Sequence, residues 1–153
     1  MLSILRTIFN CITFKLKFPK RYCAKTVHME DGLKLKIFRH MKLEKKKNSS
    51  TGAILIVRFK FKKFSHKVNM KTSIVPIPLI AGFAGFRDKL WMIDWKTGFW
   101  QGIYQWDNIS AVEKYKKSFV LGMMNKRSVT GSISYKLIPD RNIDEYLSSI
   151  IVD

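Results

Sequence analysis

Arg87, Lys89, Trp91 and Tyr104 are the residues whose types and spacing point to chemistry. They lie in the stretch Gly85 to Asp107, GFRDKLWMIDWKTGFWQGIYQWD, which holds all four tryptophans of the chain. Two strands around a turn at Lys96-Thr97-Gly98 would place Trp91, Ile93 and Trp95 on one face of the first. Gly102, Tyr104 and Trp106 would share one face of the second. The result is a broad aromatic wall, which serves either as plain core or as the lining of a ligand pocket. Strand alternation puts Arg87 and Lys89 on the Trp91 face. A cation at the edge of an apolar pocket favours the deprotonated form of a bound acid, while Tyr104 and Trp106 can each donate one hydrogen bond. The plainer alternative, with both cations ringing the sheet edge, stays open.

Other chemistries find little support. Gly82-Phe-Ala-Gly85 lacks the following Lys-Ser/Thr of a phosphate loop and the spacing of a dinucleotide loop. His28, His40 and His66 are scattered and read first as surface or hydrogen-bonded turn residues. Cys11 and Cys23 have no ligand cluster around them and form neither a CxxC pair nor a zinc pattern, so ordinary thiols in a reducing compartment are expected, with a single bridge as the alternative. No metal and no cofactor is expected. Asp94 and Asp107 read as turn or helix-entry residues.

The elements that position the aromatic block follow from periodicity. Ala53 to Lys62 puts Leu55, Val57, Phe59 and Phe61 on one strand face and Arg58, Lys60 and Lys62 on the other. Ser65 to Ala84 reads as a helix interrupted by Pro76 and Pro78. After the hairpin, Ser110 and Glu113 have capping-box spacing, and Val112, Tyr115, Phe119 and Met123 recur at helical intervals. Gly131 to Pro139 alternates as a last strand. The order β-α-β-β-α-β with right-handed crossovers predicts an α+β fold: a ferredoxin-like antiparallel sheet with both helices on one face. A pocket between sheet and helices would be walled by Trp91, Tyr104, Trp106 and Tyr135 and roofed by Ile77, Leu79, Ile80 and Phe83.

Gly85, Lys89, Trp91, Thr97, Gly102, Ile103, Tyr104 and Trp106, followed by Ala111 and Tyr115, resemble the YdhR-like monooxygenase family over roughly residues 53–139. That family belongs to the dimeric α+β barrel superfamily. The resemblance implies a homodimer of ferredoxin-like subunits packed sheet against sheet. It also implies oxidation of quinol-like or polyketide substrates without metal or flavin. In such a reaction the substrate becomes an electron-rich anion before it reduces oxygen, which assigns Lys89 and Arg87 the task of favouring that anion. The chain has no histidine after His66, which counts against a haem-degrading relative, where a helix histidine would hold the iron.

Residues 1–52 fall outside the resemblance and are expected as a basic N-terminal extension to a 53–153 domain. The net charge of +18 is concentrated in the first half of the chain: residues 1–87 hold 20 Lys/Arg and 3 Asp/Glu, and residues 88–153 hold 9 and 8. Such asymmetry suits an anionic partner, either a membrane surface or, less well, a nucleic acid on which Phe59, Phe61 and Phe64 could stack; a solvated basic face is the bland alternative. Met1 to Ile12 fits an amphipathic helix lying on a membrane or docking on the body. No segment is long enough to span a bilayer. A transit peptide is a lesser reading of the basic start. Asp31-Gly32 has the spacing of a hairpin turn, Lys42 to Gly52 reads as a linker, and Asn142 and Glu145 predict a short closing helix. The expectation is thus a cytoplasmic, monooxygenase-like protein binding a small apolar aromatic ligand. The alternative is a non-enzymatic protein held peripherally on a membrane.

Overall fold

The computed structural model describes residues 1–12, 15–44 and 52–153. In chain order the elements are α1 (Leu2–Ile12), β1 (Leu16–Lys17), β2 (Thr26–His28), β3 (Lys34–Leu43), β4 (Ala53–Phe59), α2 (His66–Thr72), α3 (Ile77–Ala81), β5 (Phe86–Ile93), β6 (Trp100–Trp106), α4 (Ile109–Lys116), α5 (Phe119–Arg127), β7 (Ser134–Pro139), α6 (Ile143–Ser148) and β8 (Ile151–Val152). Of the segment Lys42 to Gly52, expected as a linker, Lys42 and Leu43 instead end β3, and residues 45–51 lie outside the described residues.

Strands β7-β4-β6-β5 form the antiparallel ferredoxin-like core, with the two crossovers α2–α3 and α4–α5 on one face. Each crossover is a pair of short helices. In the first, the helix is interrupted as expected, by the turn that leads into Pro76 and Pro78. In the second, the cap is Asn108, whose side chain accepts from Ala111 N at 2.9 Å, rather than the expected Ser110. Ser118 then restarts the chain into α5.

The sheet continues past β5 into the N-terminal segment. β3 pairs with β5 from Lys36 to Lys42, β2 pairs with β3 around the Asp31-Gly32 turn, and β8 closes on β2. Gly32 takes a positive φ of 86°, the conformation a tight hairpin turn demands. Residues 15–44 therefore belong to the same sheet as the ferredoxin-like core.

Two apolar layers result. On the helix side, Leu55, Val57, Trp91, Tyr104 and Trp106 pack against Ile80, Val112, Tyr115 and Leu121. On the other side, Ile54, Ile56, Leu90, Met92 and Ile103 pack under Tyr22, Val27, Leu35 and the Ile143, Tyr146 and Leu147 face of α6. The capping box of α6, Asn142 with Glu145, is formed as its spacing predicts. The tip of the β2–β3 hairpin is tied across this second face by Arg58 to Asp31 and by Lys136 to Glu30. The face that a sheet-to-sheet homodimer would use is thus filled by the chain itself.

Candidate functional site

Lys89, Trp91, Gly102 and Tyr104 meet on the helix side of the sheet because β5 and β6 pair Lys89 with Tyr104 and Trp91 with Gly102. Gly102 is needed there: a Cβ would lie 2.5 Å from Cε2 of Tyr104, so its absence lets the Tyr104 ring fold down over the strand. Above this floor is a cavity of about 100 Å³. Phe59 and Phe61 close it on the β4 side, Pro76 and Ile80 along α3, and Val120, Met123, Met124 and Arg127 along α5. Trp100 completes the wall, its Nε1 donating to His66 Nδ1 at 3.1 Å.

The polar groups of this lining are few. Lys89 is 2% exposed, and its Nζ lies 4.0 Å from the Trp91 ring centroid and 4.2 Å from that of Tyr104. Among the described residues no carboxylate pairs with it. Burial pushes its pKa well below the usual lysine range, and the nearby Arg39 pushes the same way, because removing an ammonium from water without a counter-charge favours the neutral amine. Asn69 is the second polar point. Its amide nitrogen donates to Lys63 O at 3.0 Å and to Phe64 O at 3.2 Å, which fixes the orientation of the amide and leaves Oδ1 buried without a partner.

Arg39 reaches the site from β3. Its guanidinium donates to Ser73 Oγ at 2.6 Å and stands 5.6 Å from the Trp91 ring. Tyr104 and Tyr115 are both buried and held protonated, their pKa values raised by desolvation.

Only part of the expected site comes together. Lys89, Trp91, Tyr104 and Ile80 line the cavity. Trp106 and Phe83 instead join Tyr115 in a filled aromatic cluster beside it, with Trp106 and Tyr115 centroids 4.7 Å apart and Phe83 edge-on to both. Ile77 and Leu79 pack into the helix-side core away from the lining, and Tyr135 is 39% exposed on β7, its hydroxyl on Asn125 Oδ1. Arg87 is displaced for a clear reason. A bulge between Phe86 and Asp88 breaks the alternation, so Phe86 and Lys89 share the helix side while the Arg87 side chain pairs with Asp107 at 2.5 Å. Of the phenylalanines considered for base stacking, Phe59 is buried and Phe61 packs edge-on against Trp100, whereas Phe64 is exposed.

Arg39, Asn69, Trp100 and the α5 residues escaped the sequence reading. Trp100 was within reach, since it alternates with Gly102 and Tyr104. Arg39 was not, because nothing local says that β3 pairs with β5. Among the described residues no three His, Cys, Asp or Glu side chains converge as a metal-binding group.

No family model and no curated protein matches the sequence. Solved structures match its shape. An uncharacterised ferredoxin-fold protein related to antibiotic biosynthesis monooxygenases from Listeria monocytogenes superposes with a TM-score of 0.53 at 9% identity, over 75% of this chain and 69% of that one. A monooxygenase-like protein from Listeria innocua gives 0.53 at 9% identity, over 75% and 68%. The haem-degrading enzyme of Listeria monocytogenes gives 0.54 at 10% identity, over 71% and 72%. The chain has their ferredoxin-like fold. Chemistry has to be argued from the cavity, since one fold carries many activities.

Proposed function

We propose that the cavity over β5 and β6 binds a small phenol or quinol and that the protein oxidises it with dioxygen, without metal or flavin, in a monooxygenase-like reaction. The observation that carries this reading is the buried amine of Lys89 facing an aromatic cavity with no carboxylate beside it. A neutral amine accepts the phenolic proton on its lone pair. The ammonium so formed then has the substrate's phenolate as its counter-ion, and the two charges stabilise each other where water is scarce. The phenolate is the form that gives electrons to oxygen.

Size and polarity favour the same ligand class. A dry apolar cavity of about 150 Å³ holds a benzene ring, so at about 100 Å³ a single ring is the largest ligand this cavity admits, and flexible Met123 and Met124 must give way to it. The Oδ1 of Asn69 offers an acceptor for a second hydroxyl, as a quinol would supply. The fold shared with monooxygenase-like proteins and the resemblance of Gly85 to Tyr115 to the YdhR-like family point the same way, as analogy.

Oxygen uptake with methylhydroquinone tests the reading. Wild-type protein should accelerate uptake above the spontaneous rate, and Lys89→Met and Trp91→Ala should each return it to that rate. Acceleration unchanged in both variants would remove the cavity from the reaction.

A further inference from the structure

Helix α1 is docked by its polar side. Ser3 Oγ donates to Leu79 O at 2.6 Å and Arg6 Nη1 donates to Gly82 O at 3.3 Å, so α1 supplies partners to carbonyls at the end of α3 that have none within their own helix. The approach is close: a Cβ on Gly82 would lie 1.7 Å from Ser3 O. With 3.6 residues per turn, the side opposite Ser3 and Arg6 carries the aliphatic and aromatic residues. That side faces water. Leu2 is 74% exposed, Leu5 58% and Phe9 58%, with Ile4 and Ile8 also exposed. Phe18 after β1 and Ile74 and Val75 before α3 are exposed as well. A helix that turns Ser3 and Arg6 to the protein and presents its apolar side to water is the reverse of an ordinary surface helix, and the apolar face calls for a partner.

Charge decides which partner. Residues 1–29 contain six Lys/Arg and no Asp or Glu. Lys15 brings its ammonium to 5.8 Å from the Phe9 ring, beside the apolar face, and Lys20 is exposed nearby in the chain. A second copy would bring two molecules of charge +18 together, which opposes pairing through this face. A nucleic acid would use the charge but not the aliphatic side chains. An anionic lipid surface uses both, through headgroups for the lysines and the acyl boundary for the apolar face.

We propose that α1 lies in the surface of an anionic bilayer, with Leu2, Leu5 and Phe9 inserted and Lys15 and Lys20 on the lipid headgroups. The inference uses none of the cavity's residues and stands apart from the reaction proposed above.

Flotation of the full chain with vesicles tests it. The protein should float with phosphatidylcholine vesicles containing roughly a third phosphatidylglycerol, should partition at least about tenfold less to pure phosphatidylcholine, and should lose binding as salt rises. The double variant Leu5→Glu, Phe9→Glu should lose about tenfold or more of the anionic-vesicle binding. Its far-ultraviolet dichroism should match wild type, since both side chains are exposed. Three results would overturn the proposal: no flotation of the wild type, equal flotation of the variant, or a self-association in sedimentation that the same variant abolishes, which would make a second copy the occupant.

Discussion

The amine of Lys89 stands 4.0 Å from the centroid of the Trp91 ring, two residues along the same strand face, with Tyr104 of the neighbouring strand 4.2 Å away on its other contact. Aromatic faces attract an ammonium, but they replace only part of the hydration that burial removes. The balance favours the neutral amine, and a neutral lysine in a cavity is a base in need of an acid.

That balance makes stability depend on pH in a definite direction. The folded-state pKa of Lys89 lies below its ordinary 10.5, so between the two values the unfolded chain binds the extra proton and stability from this group rises with pH. Urea midpoints measured from neutrality up to about pH 9.5, below the ordinary tyrosine range, should climb in the wild type. In Lys89→Met the climb should flatten, and the protein should be more stable at neutral pH by about 2 kcal/mol.

Gly102→Ala should cost about 2 kcal/mol, since the new methyl group meets the Tyr104 ring in a packed layer. The same substitution should weaken phenol binding, because the displaced ring occupies the cavity. A thermal melt and a binding titration on one preparation check both, and full stability in the variant would show that the ring lies elsewhere.

On the opposite face Asp88 Oδ1 and His40 Nε2 share a hydrogen bond of 2.8 Å, with both side chains buried. Burial raises the Asp88 pKa, and the bond to His40 opposes that rise. Asp88→Ala should destabilise by about 2 kcal/mol by leaving the imidazole without its partner. Ligand binding in the cavity should change little, since Asp88 and Lys89 point to opposite faces.

The second sheet face predicts the oligomeric state. Ile54, Ile56, Leu90, Met92 and Ile103 lie under α6 and the β2–β3 hairpin. Sedimentation equilibrium in the absence of lipid should therefore return a single chain. A dimer packed sheet against sheet would require α6 and the hairpin to leave that face, and hydrogen exchange in residues 143–148 would reveal the movement.

Much of the fold was legible from local pattern. The alternation in β4, β5 and β6, the Pro76 and Pro78 interruption, the turn glycines and the Asn142–Glu145 box are all written within a few residues of where they act. What stayed hidden depends on distant pairing. The lysines and apolar residues of Lys34–Leu43 show a strand but not that its partner is β5, so Arg39 could not be placed beside Trp91. The bulge at Arg87 was hidden as well, since Arg87-Asp88-Lys89 is charged throughout and offers no apolar alternation in which a shift of face would show. Trp95, expected on the aromatic face, falls in the turn and is 51% exposed.

The ionisation state of a bound phenol tests the central claim most directly. Para-nitrophenol absorbs differently as the neutral phenol and as the phenolate, so a difference spectrum at a pH where the free probe is mostly neutral reports which form the cavity holds. The account predicts a bound phenolate in wild-type protein and a neutral bound phenol, or loss of binding, in Lys89→Met. A neutral phenol bound equally well by both proteins would contradict the assignment of Lys89 as the base.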